Sequence, residues 1–478
     1  MIIDGVGPAV NTLAIVLCVA FLAYVISILV PYLRQVPTTP GRAADLHWHL
    51  LLPCLDEDSV IERTVHRLLQ TAPLAELWCI DDASDDTTPV VLAALAAAHP
   101  RVHVVSRRLP MARQGKGPAL NAGWEAIGEH LDLLQPGVDR TRVVVGVVDA
   151  DGRLDPSALD VLAGPRVFGD PAVGAAQIQV RMLNRGRDDI DGDDPAPTTW
   201  LGRALVDLQD VEFRTVISAM QLLRRRLGSV GMGGNGQFTR MAVLDQIAVE
   251  HGVPWQGALL EDFELGLHVL LAGHRNQYCD DVWVAQEALP TPAALIRQRT
   301  RWAQGGMQCS KYLPAVLTSA KISTPAALEI AYFLLIPWTQ LIGSVVYTTA
   351  LGVMGYYAFT TPGGVTSWFT AGGWGVFLLA AFFGVAPVAV WGPVYRRTCE
   401  RTTSRTRALT LGLLHWVYTY VLLVAVWKAF GRFLRSESGW VKTSRVLRTS
   451  THPAPDRPVR SYLNGASSGG AHRAGRVT

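Results

Sequence analysis

Four groups of residues, in chain order, have the types and spacing from which group-transfer chemistry is built. Asp81-Asp82-Ala83-Ser84-Asp85-Asp86 follows an apolar stretch, and Asp149-Ala150-Asp151 follows a run of almost pure valine. Glu261-Asp262-Phe263-Glu264 then opens a helical pattern, and Gln298-Arg299-Thr300-Arg301-Trp302 closes the set. A carboxylate at Asp82 can accept hydrogen bonds from an imide or a ribose hydroxyl. Asp149 and Asp151 alternate with Ala150 on an extended chain, so both carboxylates fall on one side of it. That arrangement suits a hard divalent ion that keeps several waters and also binds substrate phosphates, and so neutralises a diphosphate leaving group. Asp262 is the candidate general base, a role that requires it ionised and within hydrogen-bond reach of a hydroxyl. On a helix, Gln298, Arg301 and Trp302 lie on neighbouring faces. Arg301 can clamp a diphosphate with its fork, Gln298 can bond hydroxyls, and Trp302 can stack on a substrate ring.

Each group also has a structural alternative. The acids and Ser84 around Asp82 are good helix caps, and it is the second acidic turn, at another strand end, that favours ligand binding. Acids in the first turn at Glu261 complement the helix dipole. The 298–302 segment also suits an amphipathic helix resting on a membrane, with Arg snorkelling and Trp at the interface, and both readings can hold together. Gly115-Lys116-Gly117, followed by Asn121, places a cation and an amide near a nucleotide or is a helix N-terminus with a solvated lysine; it lacks P-loop spacing. Gly233-Gly234-Asn235-Gly236-Gln237-Phe238-Thr239-Arg240 is no dinucleotide fingerprint; it is a close-approach loop whose backbone, Asn and Gln read hydroxyls, or a turn. The acidic stretch 184–199 matches no calcium-loop spacing and is expected to be a solvated surface loop.

The elements that must position these residues follow from apolar periodicity. Strands at 47–52, 77–80, 102–105 and 142–148 alternate with helices at 59–69, 88–98 and 116–127, the pattern of a parallel sheet with ligands at the strands' carboxyl ends. Ser59 and Glu62 resemble a capping box. The valine run predicts a strand buried on both faces. Residues 200–227 predict a long helix ending in Arg224-Arg225-Arg226, set against a membrane or facing water, and a further helix runs from Glu261 to Gly273.

The 478 residues are 49% hydrophobic and 17% charged, and a mean hydropathy of +0.21 is more apolar than a typical soluble enzyme. Residues 10–30 carry no charge and suffice for a crossing of about 20 residues. With no basic segment before it and no small-residue cleavage site after it, an uncleaved anchor is expected. Further apolar runs lie at 328–357, 374–394 and 409–429, and the block before them is the catalytic candidate. Arg34, Arg42, Arg297, Arg299, Arg301, Lys311 and Lys321, then Arg396, Arg397, Arg401, Arg405 and Arg407, place that block on the cytoplasmic side. Four crossings would put the tail outside, whereas Lys428, Arg432, Arg435, Lys442, Arg445 and Arg448 place it inside. Either the last apolar segment is re-entrant or interfacial, or 328–357 holds two crossings around Pro337. A net charge of +3, with basic residues beside apolar spans, points to anionic lipid and not to nucleic acid. Six cysteines without a CxxC pair imply a reduced compartment and no structural zinc. Beyond Thr449 the Ser-, Gly-, Pro- and Arg-rich tail is expected to be disordered.

In order, Pro53 with Glu57, Asp82, Asp149-Ala150-Asp151, Glu261-Asp262 and Gln298-Arg299-Thr300-Arg301-Trp302 resemble glycosyltransferase family 2, particularly the membrane-bound branch holding cellulose, hyaluronan and poly-N-acetylglucosamine synthases. The resemblance spans residues 50–304 and the flanking apolar runs. It implies an α/β fold, a GT-A-like (nucleotide-diphospho-sugar transferase) Rossmann-like domain with flanking transmembrane helices, a UDP-sugar donor, Mg2+ or Mn2+, and inverting transfer to a hydroxyl. It gives Asp82 a uridine contact, Lys116 a supporting role, Asp149 and Asp151 the diphosphate and metal, and Asp262 the base. Gln298 and Arg301 become donor contacts, Trp302 the floor under the acceptor, and Pro53 and Glu57 join the substrate-binding set. Asp56 stands where the family often has Asn, and Leu260 where the synthases often have Thr.

The expected organisation is a transmembrane helix at 1–32, a cytoplasmic catalytic domain at 45–310, interfacial and transmembrane helices at 311–435 and a basic tail at 436–478, in a multi-pass protein of the plasma membrane. Expected partners are the UDP-sugar, a saccharide or lipid acceptor, the bilayer, and an export partner or second copy, with no nucleic acid. The expected function is sugar transfer to a hydroxyl of a growing polysaccharide, which the final motif favours; non-processive glycosylation of a membrane lipid, favoured by the few spans, is the alternative. A catalytically silent nucleotide-sugar-binding scaffold is the alternative of another class, and a transporter is disfavoured because the spans offer few polar residues for a substrate path.

Overall fold

The computed structural model describes residues 2–185, 197–360, 363–368, 370, 374, 378 and 381–437. Most of the acidic 184–199 stretch, and the tail expected to be disordered, lie outside the described residues.

Four strands, β1 His47–Cys54, β2 Ala75–Asp81, β3 Val102–Ser106 and β4 Val143–Val147, pair in parallel in the spatial order β3-β2-β1-β4. All five residues of β4 are buried, as its valines require. Strand alternation splits the core into two layers. Leu50, Leu52, Val144 and Val148 pack on one face with Val65, Leu68 and Leu92, while Leu51, Ile80, Val145 and Val147 pack on the other with Leu120 and Ile127. The helices Ile61–Thr71, Thr88–Ala98 and Lys116–Leu134 make the crossovers. The expected capping box does not form: Val60 is the N-cap, without a side-chain bond, and the Glu57 carbonyl accepts from the Val60 and Ile61 N–H groups instead.

The sheet is not wholly parallel. Four further strands, β5 Arg153–Leu154, β6 Val173–Met182, β7 Gln237–Arg240 and β8 Arg275–Gln286, extend it to the order β3-β2-β1-β4-β7-β6-β8-β5. β7 enters antiparallel between β4 and β6, with Val147 opposite Gln237. This reversal returns the Gly233–Gly236 loop to the carboxyl end of β4, where the Asp149 turn begins. Gly146 of β4 makes room for it, since a Cβ there would lie 2.5 Å from the Phe238 ring.

Residues 200–227 form one helical run, Trp200–Val211, a wider turn at Glu212–Ile217 and Ser218–Leu227, closed by Gly228 at φ 83. The arginine triplet does not simply face lipid or water. Arg224 is buried, with Nε 2.7 Å from Glu329 Oε1, Arg225 lies 3.3 Å from Asp280 Oδ1, and Arg226 is exposed.

Among the described residues, three helices are long and apolar enough to cross a membrane: Ile15–Leu33, Thr324–Val353 and Arg405–Leu434. The second belongs to a continuous helix, Thr324–Thr360, that runs through Pro337 without dividing there into two crossings. The apolar run 374–394 is only partly within the described residues, where it appears as Ala381–Val385, Ala386–Ala389 and the start of Trp391–Thr398. The first helix is tied to the wider turn Glu212–Ile217 by Tyr32, whose hydroxyl donates to the Arg214 carbonyl at 2.8 Å.

Candidate active site

The parallel strands end at one cavity of about 580 Å³, lined by Pro53, Glu57, Asp82, Lys116, Asp149, Asp151, Asp262, Gln298, Arg301 and Trp302, every site residue expected from the sequence. Asp82 follows β2 and is buried. Its N–H donates to the Cys54 carbonyl at 2.9 Å, and the Asp81 carboxylate accepts from the Ser84 N–H at 3.0 Å, which turns the chain. The acids of this run divide their work: Asp86 Oδ1 accepts from the Thr88 N–H at 2.9 Å, taking the capping role, while Asp82 faces the cavity. Glu57 is placed by its N–H, which donates to Thr88 Oγ1 at 2.8 Å.

Asp82 also carries a partner that sequence reasoning missed, an ion pair with Arg107 Nη1. β3 pairs with β2 in the register Asp81 opposite Ser106, so the residue after each strand brings Arg107 beside Asp82, a register that the sequence alone does not show.

Lys116 opens its helix after Gly115, which sits at φ 124. It is not a solvated lysine: Nζ lies 2.5 Å from Asp149 Oδ1 and donates to the Gly234 carbonyl at 2.7 Å. Burial alone would pull its pKa down, but Asp149, Glu261 and Asp262 outweigh that and hold it above the ordinary lysine value. Asn121 makes no nucleotide-facing amide. It exchanges two hydrogen bonds with the backbone of Trp255, at 2.8 and 3.0 Å.

The glycine-rich loop approaches closely through its backbone. A Cβ on Gly234 would lie 3.0 Å from Asp262 Oδ2 and 3.1 Å from Lys116 Nζ. Its polar side chains are not free to read hydroxyls, as the sequence suggested. Asn235 Oδ1 accepts from the Asp149 N–H at 3.2 Å and Nδ2 donates to Gln286 Oε1 at 2.9 Å, which fixes the acidic turn, while Gln237 is buried in the sheet. Asp151 is buried, and its Oδ2 accepts from the Glu287 N–H at 3.1 Å.

Asp262 lies in the first turn of the helix Glu261–Ala272, where Oδ1 accepts from the Phe263 N–H at 2.7 Å. Burial raises its pKa, against the lowering pull of that bond, Lys116 and Arg301. Glu261 is raised as well, by burial first and then by Asp262. Glu264 supports the helix from behind: Oε2 accepts from the Ala258 N–H at 2.9 Å, and Oε1 accepts from the Tyr312 hydroxyl at 2.7 Å.

The helix Pro292–Cys309 brings in the last motif, and Gly305 seats it against the loop before Asp262, since a Cβ there would lie 2.6 Å from the Leu260 nitrogen. Its two arginines have different surroundings. Arg299 is buried, 2.6 Å from Glu212 Oε2, with its guanidinium 4.1 Å above the Trp302 ring. Arg301 lines the cavity, and its guanidinium makes no hydrogen bond or ion pair with another described residue. Trp302 stands edge-on to Phe213, with ring centres 6.1 Å apart.

Beyond Trp302 the cavity continues to Phe333, Ile336, Pro337 and Gln340 of the helix Thr324–Thr360, past Ile217 and Met220. Its lining therefore joins carboxylates and cations at the strand ends with mostly apolar side chains from a helix long and apolar enough to cross a bilayer.

Asp149 and Asp151 fit a divalent ion of the kind that takes one or two protein carboxylates and completes its shell with phosphate and water. Among the described residues no group of three or more His, Cys, Asp or Glu side chains gathers around one point. Lys116 already rests on Asp149, which shows that the acidic turn draws positive charge.

A family model described as "Glycosyltransferase like family 2" matches residues 48–305. Among curated proteins, the β-monoglucosyldiacylglycerol synthase of Synechocystis sp. is 28% identical over 267 residues, covering 54% of this chain and 47% of that protein. An N-acetylglucosaminyltransferase of Rhizobium leguminosarum bv. viciae is 24% identical over 279 residues, covering 57% of each. The chain thus spans about half the length of the curated relatives it matches. The mixed sheet is a GT-A fold. It is similar to the mannosyltransferase PcManGT of Pyrobaculum calidifontis, solved with GDP-Man and Mn2+, at a TM-score of 0.54 and 15% identity over 91% of this chain and 99% of that one.

Proposed function

We propose, from the premise that this chain belongs to glycosyltransferase-like family 2, that it moves a sugar from a UDP-sugar to a hydroxyl of a membrane lipid in one inverting displacement. The observation that carries this reading is the continuity of a single cavity from Asp82, Asp149 and Asp262 to Phe333, Ile336 and Pro337 on an apolar helix. A lipid headgroup reaching Asp262 can leave its acyl chains at that apolar end, where they stay out of water. Relatives named β-monoglucosyldiacylglycerol synthase point the same way.

In this reading Asp82, held by Arg107, receives the uridine, and Pro53 and Glu57 complete that side of the donor site. Asp149 and Asp151 would hold Mg2+ or Mn2+, which when bound neutralises charge on the diphosphate. Arg301 supplies a fork to the same phosphates. Asp262 takes the proton of the attacking hydroxyl, Gln298 orients hydroxyls, and Trp302 forms the floor under the acceptor. No covalent sugar–enzyme intermediate is required.

Residues 45–310 are then the catalytic domain, on the cytoplasmic face of the plasma membrane, with 1–32 and 311–435 supplying membrane helices. The arginines and lysines at the helix ends support that orientation. The Gln298-to-Trp302 motif favours a second reading, extension of a polysaccharide, which asks for a polar path through the bilayer supplied by a second copy or an export partner. Full-length protein in detergent, given Mn2+ or Mg2+, a panel of UDP-sugars and membrane lipid extract, separates the two. A single added sugar on an organic-phase product supports the lipid reading, and an aqueous ladder overturns it. UDP release from no donor on the panel would instead favour the silent scaffold.

A further inference from the structure

The end of the first apolar helix is ringed by arginines that the transfer site does not use. Arg34, Arg166, Arg225 and Arg226 line a cavity of about 300 Å³ together with Val36 and Pro37. On the same helix end, Tyr32 and Leu33 border a second cavity of about 730 Å³ with Arg396, Arg397 and Arg401. These side chains come from four distant parts of the chain, and the fold gathers them around the end of the candidate span Ile15–Leu33.

Few of these charges are neutralised within the protein. Arg34, Arg166 and Arg226 are exposed, and their guanidinium groups make no hydrogen bond or ion pair with another described residue; the Arg166 carbonyl accepts from Gln277 Nε2 at 2.9 Å. The acids nearby are already engaged: Asp280 pairs with Arg225 at 3.3 Å, and Asp281 Oδ2 accepts from the Thr38 N–H at 2.6 Å. Across the helix end, Arg396 donates to the Thr403 carbonyl at 2.7 Å, while Arg397 and Arg401 remain exposed.

We propose that the cavity of Arg34, Arg166, Arg225 and Arg226 binds the phosphodiester of an anionic phospholipid, holding the catalytic unit against the cytoplasmic leaflet at a fixed height. Guanidinium forks match phosphate oxygens geometrically, and a basic pocket at the end of a membrane helix suits an anionic headgroup. Val36 and Pro37 line the pocket just past Leu33, the last residue of the candidate span, so a lipid held there by its headgroup can run its glycerol and acyl chains alongside the span. A soluble phosphate has no use for that placement. The inference stands apart from the identity of donor and acceptor.

The test is lipid binding by the full-length chain in detergent micelles, titrated with fluorescent phosphatidylglycerol or phosphatidylcholine, with inorganic phosphate as competitor. Wild type is expected to prefer phosphatidylglycerol. The double variant R166Q/R226Q, both sites exposed, should bind it about twenty-five-fold more weakly, at roughly fivefold per arginine. R166K/R226K should keep most of the preference, which separates lost charge from lost folding. Equal binding of the two lipids by wild type, an unchanged preference in R166Q/R226Q, or displacement by millimolar-range phosphate, as for a free-anion site, would overturn the proposal.

Discussion

Lys116 Nζ lies 2.5 Å from Asp149 Oδ1 and also donates to the Gly234 carbonyl, so one cation joins the acidic turn after β4 to the loop that faces Asp262. Removing that charge leaves Asp149, Glu261 and Asp262 facing one cavity with less compensation. Lys116→Met is expected to lower kcat by about a hundredfold, the scale seen when one preorganised electrostatic group is lost. Lys116→Arg should recover part of it. Steady-state UDP release at saturating donor checks this, and an unchanged kcat in Lys116→Met would remove Lys116 from the site.

The activity should also report the burial of the Glu261–Asp262 pair. Both carboxyls are raised, mainly by burial, and the base role proposed for Asp262 requires it ionised. As pH falls through the raised value the base takes a proton and the rate drops. The acid limb should therefore lie above the ordinary aspartate value of about 3.9, with a midpoint belonging to the pair. Because Lys116 lowers the pKa of both groups, Lys116→Met should move the limb further up. A kcat–pH profile with its limb in the ordinary range, unmoved in the variant, would contradict this.

Arg299 and Arg301 are two positions apart and should fail differently. Arg299 is buried on Glu212, with Tyr418 also in reach at 3.3 Å. Arg299→Ala leaves the partly buried Glu212 carboxylate with only the Tyr418 hydroxyl at 2.9 Å, and is expected to cost about 2–3 kcal/mol of stability. Arg301→Ala, facing the cavity, should leave the melting temperature nearly unchanged and raise the donor KM. Thermal melting in detergent beside donor kinetics reads both, and equal melting losses would refute the division.

The apolar end of the cavity predicts an acceptor effect without a donor effect. Ile336→Trp fills space beside Phe333 and Pro337, and should raise KM for a long-chain lipid acceptor by about tenfold, within the range for mismatched apolar pockets. KM for a short-chain analogue should hold. Equal changes for both acceptors would mean that the chains bind elsewhere.

The sequence made the first half of the sheet legible because its signals are local. Valine runs mark buried strands, and Gly273, at φ 99, ends the Asp262 helix where the pattern said it would. The cavity-lining residues were legible for the same reason: strand ends and helix starts put Asp82, Asp149 and Asp262 at one edge. β6, β7 and β8 were not, because burial there depends on distant partners. Gln177 and Gln179 of β6 are polar yet buried, and β7 is four residues long. Arg224 read as a surface charge because its partner, Glu329, lies 105 positions away. Asn235 read as a hydroxyl reader because no local rule reveals that Asp149 and Gln286 occupy it.

The most direct test compares Asp262→Asn with wild type, measuring UDP-sugar binding and single-turnover sugar transfer on the same preparations. The geometry predicts donor affinity close to wild type and transfer reduced by about 10²–10⁴-fold, the contribution of a positioned general base. Transfer at the wild-type rate in Asp262→Asn, with the donor bound, would show that another group takes the proton.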